Sequence, residues 1–103
     1  MARFRLTPAA LSSLESIGRY TESTWGVKQR NSYLRALDKC FHDLAKTPAT
    51  GRPRDELFAG LRSFHHQKHV IFYLSQNREI IIVDILHERM EPGARLRRPP
   101  TDY

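Results

Sequence analysis

Apolar residues gather in two runs near the C-terminal end, residues 69–74 (HVIFYL) and 79–87 (EIIIVDILH), separated by Ser75, Gln76, Asn77 and Arg78. Both are short, rich in Val, Ile, Phe and Tyr, and bounded by turn-compatible residues, which predicts two strands of a hairpin. Along the second run strict alternation sends Ile81, Val83 and Ile85 to one face and Ile80, Ile82, Asp84 and Leu86 to the other. Neither face is polar, so the sheet needs a cover on both sides. The helices upstream supply one, and the other must come from the chain's own tail or from another protein.

Residues 3–6 alternate basic and apolar, placing Phe4 and Leu6 on one face of a short strand that stops at Thr7-Pro8. Thr7 suits an N-cap, and Pro8 suits the first helical position, where its missing N–H costs nothing. Leu11, Leu14, Ile17, Thr21 and Trp25 then recur at helical spacing up to Gly26, which predicts a helix over residues 8–25. Gly18 inside it costs about 1 kcal/mol relative to alanine, and either marks close backbone packing there or is simply tolerated. Leu34, Leu37, Phe41 and Leu44 mark a second helix that ends at Thr47-Pro48, so the two fold back as an antiparallel hairpin with Trp25 and Val27 at its tip. Residues 48–60 (PATGRPRDELFAG) read as an ordered loop, and residues 61–66 as a strand turning at Gln67-Lys68 into the first apolar run. From about residue 91 the chain becomes a charged, Pro-containing tail, irregular or partly docked. The expectation is one α+β domain over residues 1–103, with an N-terminal strand and an antiparallel helical hairpin packed on a mostly antiparallel sheet. Where the first strand pairs is left open.

At 103 residues the chain is long enough to bury about two-thirds of its unfolded surface around one core. The charge of +6 favours anionic partners, and it is uneven: residues 1–51 carry +4 and residues 52–103 carry +2. The lone Cys40 excludes an internal disulfide and is expected on the buried side of the second helix with Leu37, Phe41 and Leu44. With no apolar leader and no stretch near the roughly 18 apolar residues of a membrane span, a soluble, cytoplasmic protein without membrane partners is expected.

Of the chemistry-bearing residues, His65, His66 and His69 cluster around the predicted turn, but neither a cysteine nor a carboxylate lies nearby in sequence to complete a zinc site. No metal and no cofactor are expected. Arg52, Arg54, Arg62, His87 and Arg89 would form a basic surface with one group titrating near neutrality if the sheet gathers them. Such a set could hold phosphates; cleaving RNA would also require a second proton-transfer group, which the sequence does not supply. The alternative is a set of solvated surface cations. Arg95, Arg97 and Arg98 have the pattern of a solvated basic tail, and no phosphate loop, nucleophile elbow or HExxH is present.

Arg19-Tyr20-Thr21, Trp25-Gly26-Val27, Tyr33-Leu34, Leu37, Leu44, Pro48, Gly51-Arg52, Leu61-Arg62-Ser63-Phe64, the run from His69 to Tyr73 and Ile85-Leu86-His87-Glu88-Arg89-Met90 together resemble the ParE toxins of bacterial toxin–antitoxin pairs, within the RelE/ParE superfamily. The resemblance spans residues 4–96. It implies the helical-hairpin-on-sheet fold and a toxin of a type II module. It also implies a ParD-type antitoxin bound in a hetero-oligomer, and DNA gyrase with its cleaved DNA as the target, blocked by binding and without catalysis. Target contact is then assigned to Arg52, Arg54, Arg62, His87 and Arg89, and antitoxin contact to Trp25, Phe72 and Ile82. The alternative is a RelE-like, ribosome-dependent mRNA-cleaving toxin using His87, Arg62 and Arg89. That branch commonly has a tyrosine a few residues beyond the last strand, where this chain has Met90 to Ala94, with Tyr103 too far on. The departure favours ParE.

Overall fold

Thr7 ties the first strand, the first helix and the central strand together. Its hydroxyl accepts from the Ala10 N–H at 3.0 Å, as an N-cap does, and donates to the Val83 carbonyl at 2.7 Å, while its own N–H reaches the Ile82 carbonyl at 3.1 Å. The computed structural model describes residues 3–99. Around this junction lie β1 (Phe4–Leu6), α1 (Pro8–Trp25), α2 (Val27–Lys46), a single 3-10 turn (Pro48–Thr50), β2 (Arg52–Pro53), β3 (Arg62–His66), β4 (His69–Gln76), β5 (Glu79–His87) and a short α3 (Pro92–Arg95). The fold is α+β, as the residue pattern and the resemblance imply.

The sheet order is β1-β5-β4-β3-β2. β1 lies at one edge, parallel to β5, and every other pairing is antiparallel. Gly26 separates the helices at φ 97°, a left-handed backbone that glycine adopts without Cβ strain, and its N–H closes α1 on the Glu22 carbonyl at 2.8 Å. Asn77 and Arg78, both at positive φ, form the two-residue turn between β4 and β5, so β4 runs two residues closer to the turn than its apolar run indicates, while β5 spans the run read for it. The span read as a loop holds the 3-10 turn and the two-residue edge strand β2.

The helices cover one face of the sheet. There Leu37, Phe41 and Leu44 of α2 and Ile17 of α1 pack on Ile71, Tyr73, Ile80, Ile82 and Ile85. Strict alternation fails inside β5: Phe72 pairs with Asp84 and Tyr73 with Ile82, so Val83 is the extra residue of a bulge and Ile85 turns to the helix side with Ile80 and Ile82. The α1 stripe is also displaced from the expected one. Ala10, Ile17, Gly18 and Thr21 are buried, whereas Leu11 is 50% and Trp25 70% exposed. Small residues let α1 approach closely, and a Cβ at Gly18 would touch Leu34 at 3.4 Å. Cys40 is half-buried, packed against this core rather than within it.

The opposite face is covered from within the chain. Leu61, Leu57 and Phe58 from the span before β3, and Leu96 from the tail, close over Phe72, Leu74, Val83 and Leu86. This corrects two site assignments: Phe72 is 2% and Ile82 0% exposed, so neither offers a surface to an antitoxin in this structure. Phe72 lies beneath this outer cover and Ile82 beneath the helices.

Tyr73 locks the loop to the sheet. Its hydroxyl donates to the Pro48 carbonyl at 2.6 Å and accepts the Gly51 N–H at 2.8 Å, and a Cβ at Gly51 would run into the phenol ring. Tyr73→Phe should therefore destabilise by about 2 kcal/mol, because two backbone groups lose their partner, and Gly51→Ala by at least as much. Urea unfolding of both variants checks this; midpoints within error of wild type would refute the locking role.

Candidate functional site

Four elements converge at the far end of the sheet: the N-terminal half of α2, the ends of β3 and β5, and the start of β4. The register sets His66 opposite His69 and His69 opposite His87, all on the helix-covered side. Tyr33 of α2 reaches down to them, its oxygen 2.6 Å from Nδ1 of His69. The Tyr33 ring lies tilted against His69 at 5.5 Å, and His69 meets His87 edge-on at 5.6 Å. The backbone N–H of Arg89 donates to Nδ1 of His87 at 3.1 Å, which leaves the proton of the neutral ring on Nε2. Nδ1 of His66 lies 3.5 Å from the Cys40 sulfur, and its Nε2 is buried without a partner. His65 points away and meets Glu88 at 2.9 Å.

Burial pushes His69 down to about 4, with the neighbouring His87 and His66 adding to the shift. Burial also raises the Tyr33 hydroxyl and the Cys40 thiol above their ordinary values. His69, Tyr33 and Cys40 are thus held neutral at physiological pH. Tyr33, His69 and His87 line a cleft of about 340 Å³ whose other walls include Tyr20, Trp25, Gln29 and Lys68. Tyr20 and Trp25 are the most exposed large apolar side chains described. Among the described residues no three His, Cys, Asp or Glu side chains are arranged to hold a metal ion.

The five residues assigned to target contact do not come together. Arg62 pairs in register with Tyr73, whereas His87 pairs with His69, four positions further along β4 and so ~13 Å away at about 3.3 Å per residue. The Arg62 guanidinium donates to the Gly51 carbonyl at 2.6 Å and is committed to the loop. Arg54 donates to Glu56 at 2.7 Å and to the Ser63 hydroxyl at 3.3 Å, and lies over the Phe72 ring at 5.5 Å. Arg52, on the edge strand, is exposed, as is Arg89 beyond β5. The result is an arginine group at β2 and β3 and a separate histidine end with Arg89. Trp25 stands exposed at the helical tip, as its assignment requires. Tyr33 was not assigned a site role, although its place four residues before Leu37 marks it as the last buried position of the α2 stripe toward the tip. The carboxyl-terminal Tyr103, and Pro100 to Asp102 before it, lie outside the described residues.

With the geometry in place, the chain can be compared with known proteins. The family pattern described as the ParE toxin of type II toxin–antitoxin system, parDE, matches residues 4–92. Toxin ParE1 of Mycobacterium tuberculosis is 37% identical over 91 residues, covering 87% of this chain and 93% of the relative. Toxin ParE1 of Caulobacter vibrioides is 35% identical over 96 residues, covering 93% and 99%. Among solved structures, a chromosomal ParDE toxin–antitoxin system of P. aeruginosa superimposes with a TM-score of 0.72 at 17% identity, over 84% of this chain and 96% of that one. The RelBE2 toxin–antitoxin complex of Mycobacterium tuberculosis gives 0.62 at 21% identity, over 84% and 90%. At these identities the structures speak for the fold alone. No helix of the described residues is long and apolar enough to cross a membrane.

The lowered His69 value has a definite pH consequence. An unfolded histidine titrates near 6.5, so between about 6.5 and 4 the unfolded chain binds more protons and folding stability falls as pH drops, levelling off below about 4. The ring keeps partial contact with solvent, so the loss should be on the order of 1 kcal/mol rather than the full value of the shift. Urea unfolding at several pH values should show this slope reduced in His69→Gln; an unchanged slope would show that other groups carry it.

Proposed function

This chain belongs to the ParE toxin family of the parDE type II toxin–antitoxin systems, and from that premise we propose that it arrests DNA gyrase by binding the DNA-bound enzyme, without chemistry of its own. The observation that carries the choice between binding and cleavage is the separation of Arg62 from His87 and Arg89. General acid–base cleavage of RNA needs a proton-transfer pair and a stabilising cation around one phosphate. Here Arg62 is bound to a loop carbonyl, His87 keeps one ring nitrogen on the Arg89 backbone, and His69 is turned onto Tyr33. This arrangement supports a contact surface over a catalytic centre.

The proposed partner in the resting state is an antitoxin of the ParD type. The named neighbours in structure include a ParDE system and a RelBE2 complex, and this chain presents Trp25 and Tyr20 on a basic helical half. An acidic antitoxin segment would lay apolar side chains on that tip and its carboxylates along the helices. Both partners would be met in the bacterial cytoplasm.

Two measurements test the proposal. In a gyrase supercoiling assay wild-type protein should inhibit, and alanine at Arg52, Arg54 or Arg89 should weaken inhibition by graded amounts, none abolishing it. Ribosome-dependent cleavage of mRNA that disappears in His87→Ala, with gyrase untouched, would replace this reading by the RelE-like one. For the antitoxin, Trp25→Ala should weaken the complex by about tenfold or more in titration calorimetry while leaving the melting temperature nearly unchanged. Phe72→Ala and Ile82→Ala should instead lower stability by about 3 kcal/mol, as expected of core positions. Full affinity in Trp25→Ala would place the antitoxin elsewhere.

A further inference from the structure

Beyond α3 the chain folds back over the outer sheet face, and Leu96 seats against Phe72, Val83 and Leu86. That anchor gives the arginines on either side a defined place. Arg95, Arg97 and Arg98 surround a second cleft, of about 220 Å³, whose other walls come from the start of α1 and from Val83 and Asp84 of β5. None of the three is paired with a carboxylate among the described residues. The Arg98 guanidinium donates to the Ala59 carbonyl at 2.9 Å and lies over the Phe58 ring at 4.7 Å, and the Arg97 guanidinium donates to the Leu96 carbonyl at 2.9 Å, which fixes both forks in place and leaves their other N–H groups for an anion. Asp84 is the one acid in the lining, and it already accepts the Ser13 hydroxyl at 2.5 Å and the Ile85 N–H at 2.8 Å. Three cations against one engaged carboxylate leave the cleft at +2.

The kind of anion follows from what the cleft has and lacks. All three cations are arginines, whose planar forks match the paired oxygens of a phosphate, and they sit on a basic chain. The lining holds no aromatic side chain on which a base could stack, so the site reads backbone and not sequence. We propose that this cleft holds a phosphodiester of the DNA backbone, so that the tail of the toxin grips duplex DNA directly. Its use in the cell rests on the reading that the toxin acts on DNA-bound gyrase; the binding itself does not, and is measured without gyrase.

The probe is a fluorescently labelled duplex of about 20 base pairs, titrated with the full chain over a series of salt concentrations and followed by anisotropy. Wild type should bind at low salt. Replacing Arg95, Arg97 and Arg98 together by glutamine should weaken binding by about tenfold or more and make the salt dependence shallower by roughly three counterions. A control triple of Arg19→Gln, Lys28→Gln and Lys46→Gln removes the same charge from the helices and should cost far less. Equal losses in the two triples, or no binding by wild type, would overturn the proposal. If the tail triple fails to fold, Arg95→Gln alone, at an exposed side chain with no described partner, should remove about one counterion; an unchanged slope would refute the site. Inorganic phosphate is the second arm. Amide shifts at Val83 and Asp84 with both duplex and phosphate support the cleft, whereas shifts with phosphate but no duplex binding would make it a small-anion site and reject the DNA assignment.

Discussion

β5 is buried along both faces, and a strand in that position must be covered twice. One cover is the helical hairpin, whose apolar stripe meets Ile80, Ile82 and Ile85; the other is assembled from Leu57, Phe58, Leu61 and Leu96. Burying apolar surface on both sides yields about 25 cal/mol for each Å² removed from water, and within residues 80–86 of β5 the one polar side chain is Asp84, whose oxygen is satisfied by Ser13 and its neighbour's N–H. The remaining architecture follows from meeting this demand within one short chain. β1 completes one side of β5, Thr7 fixes the start of α1 above it, and β4 completes the other side.

The histidine end shows how the same demand shapes the site. Because β3, β4 and β5 end together beneath α2, their terminal histidines are brought under Tyr33 and partly out of water, and burial holds His69 neutral. Charged residues that sequence proximity alone would group are divided by register. Arg62 serves the Tyr73 loop, and Arg89 only reaches the histidines through its backbone N–H. A constellation spread over several strands is a property of pairing, and pairing is not written in any one segment.

That limit explains what the residues reveal before the fold is known. The hairpin of β4 and β5, the caps at Thr7 and Gly26 and the α2 stripe are local, period-driven signals, and they appear where the residues place them. The position of β1 depends on a distant hydrogen bond from Thr7 to β5, and the side-chain parity of β5 depends on one bulged residue, Val83; neither leaves a local trace. The α1 face was hidden for another reason. Its buried residues include Ala10, Gly18 and Thr21, which carry little hydrophobic signal, while Leu11 and Trp25 carry much and lie outside. Site assignment suffered accordingly: Trp25 is accessible, Phe72 and Ile82 are interior, and the outer cover that hides Phe72 comes from segments that read as loop and tail.

Leu96 gives the tail a meaning that its composition conceals. The family match stops at residue 92, four positions before this side chain. A chain trimmed at that boundary would keep every strand and both long helices yet open a gap in its outer cover, leaving Phe72, Val83 and Leu86 under Leu57, Phe58 and Leu61 alone. Such a fragment would be sticky rather than unfolded, prone to self-association at concentrations where the intact chain stays dispersed. Loss of toxicity in shortened forms would then say as much about colloidal behaviour as about any missing contact with a target.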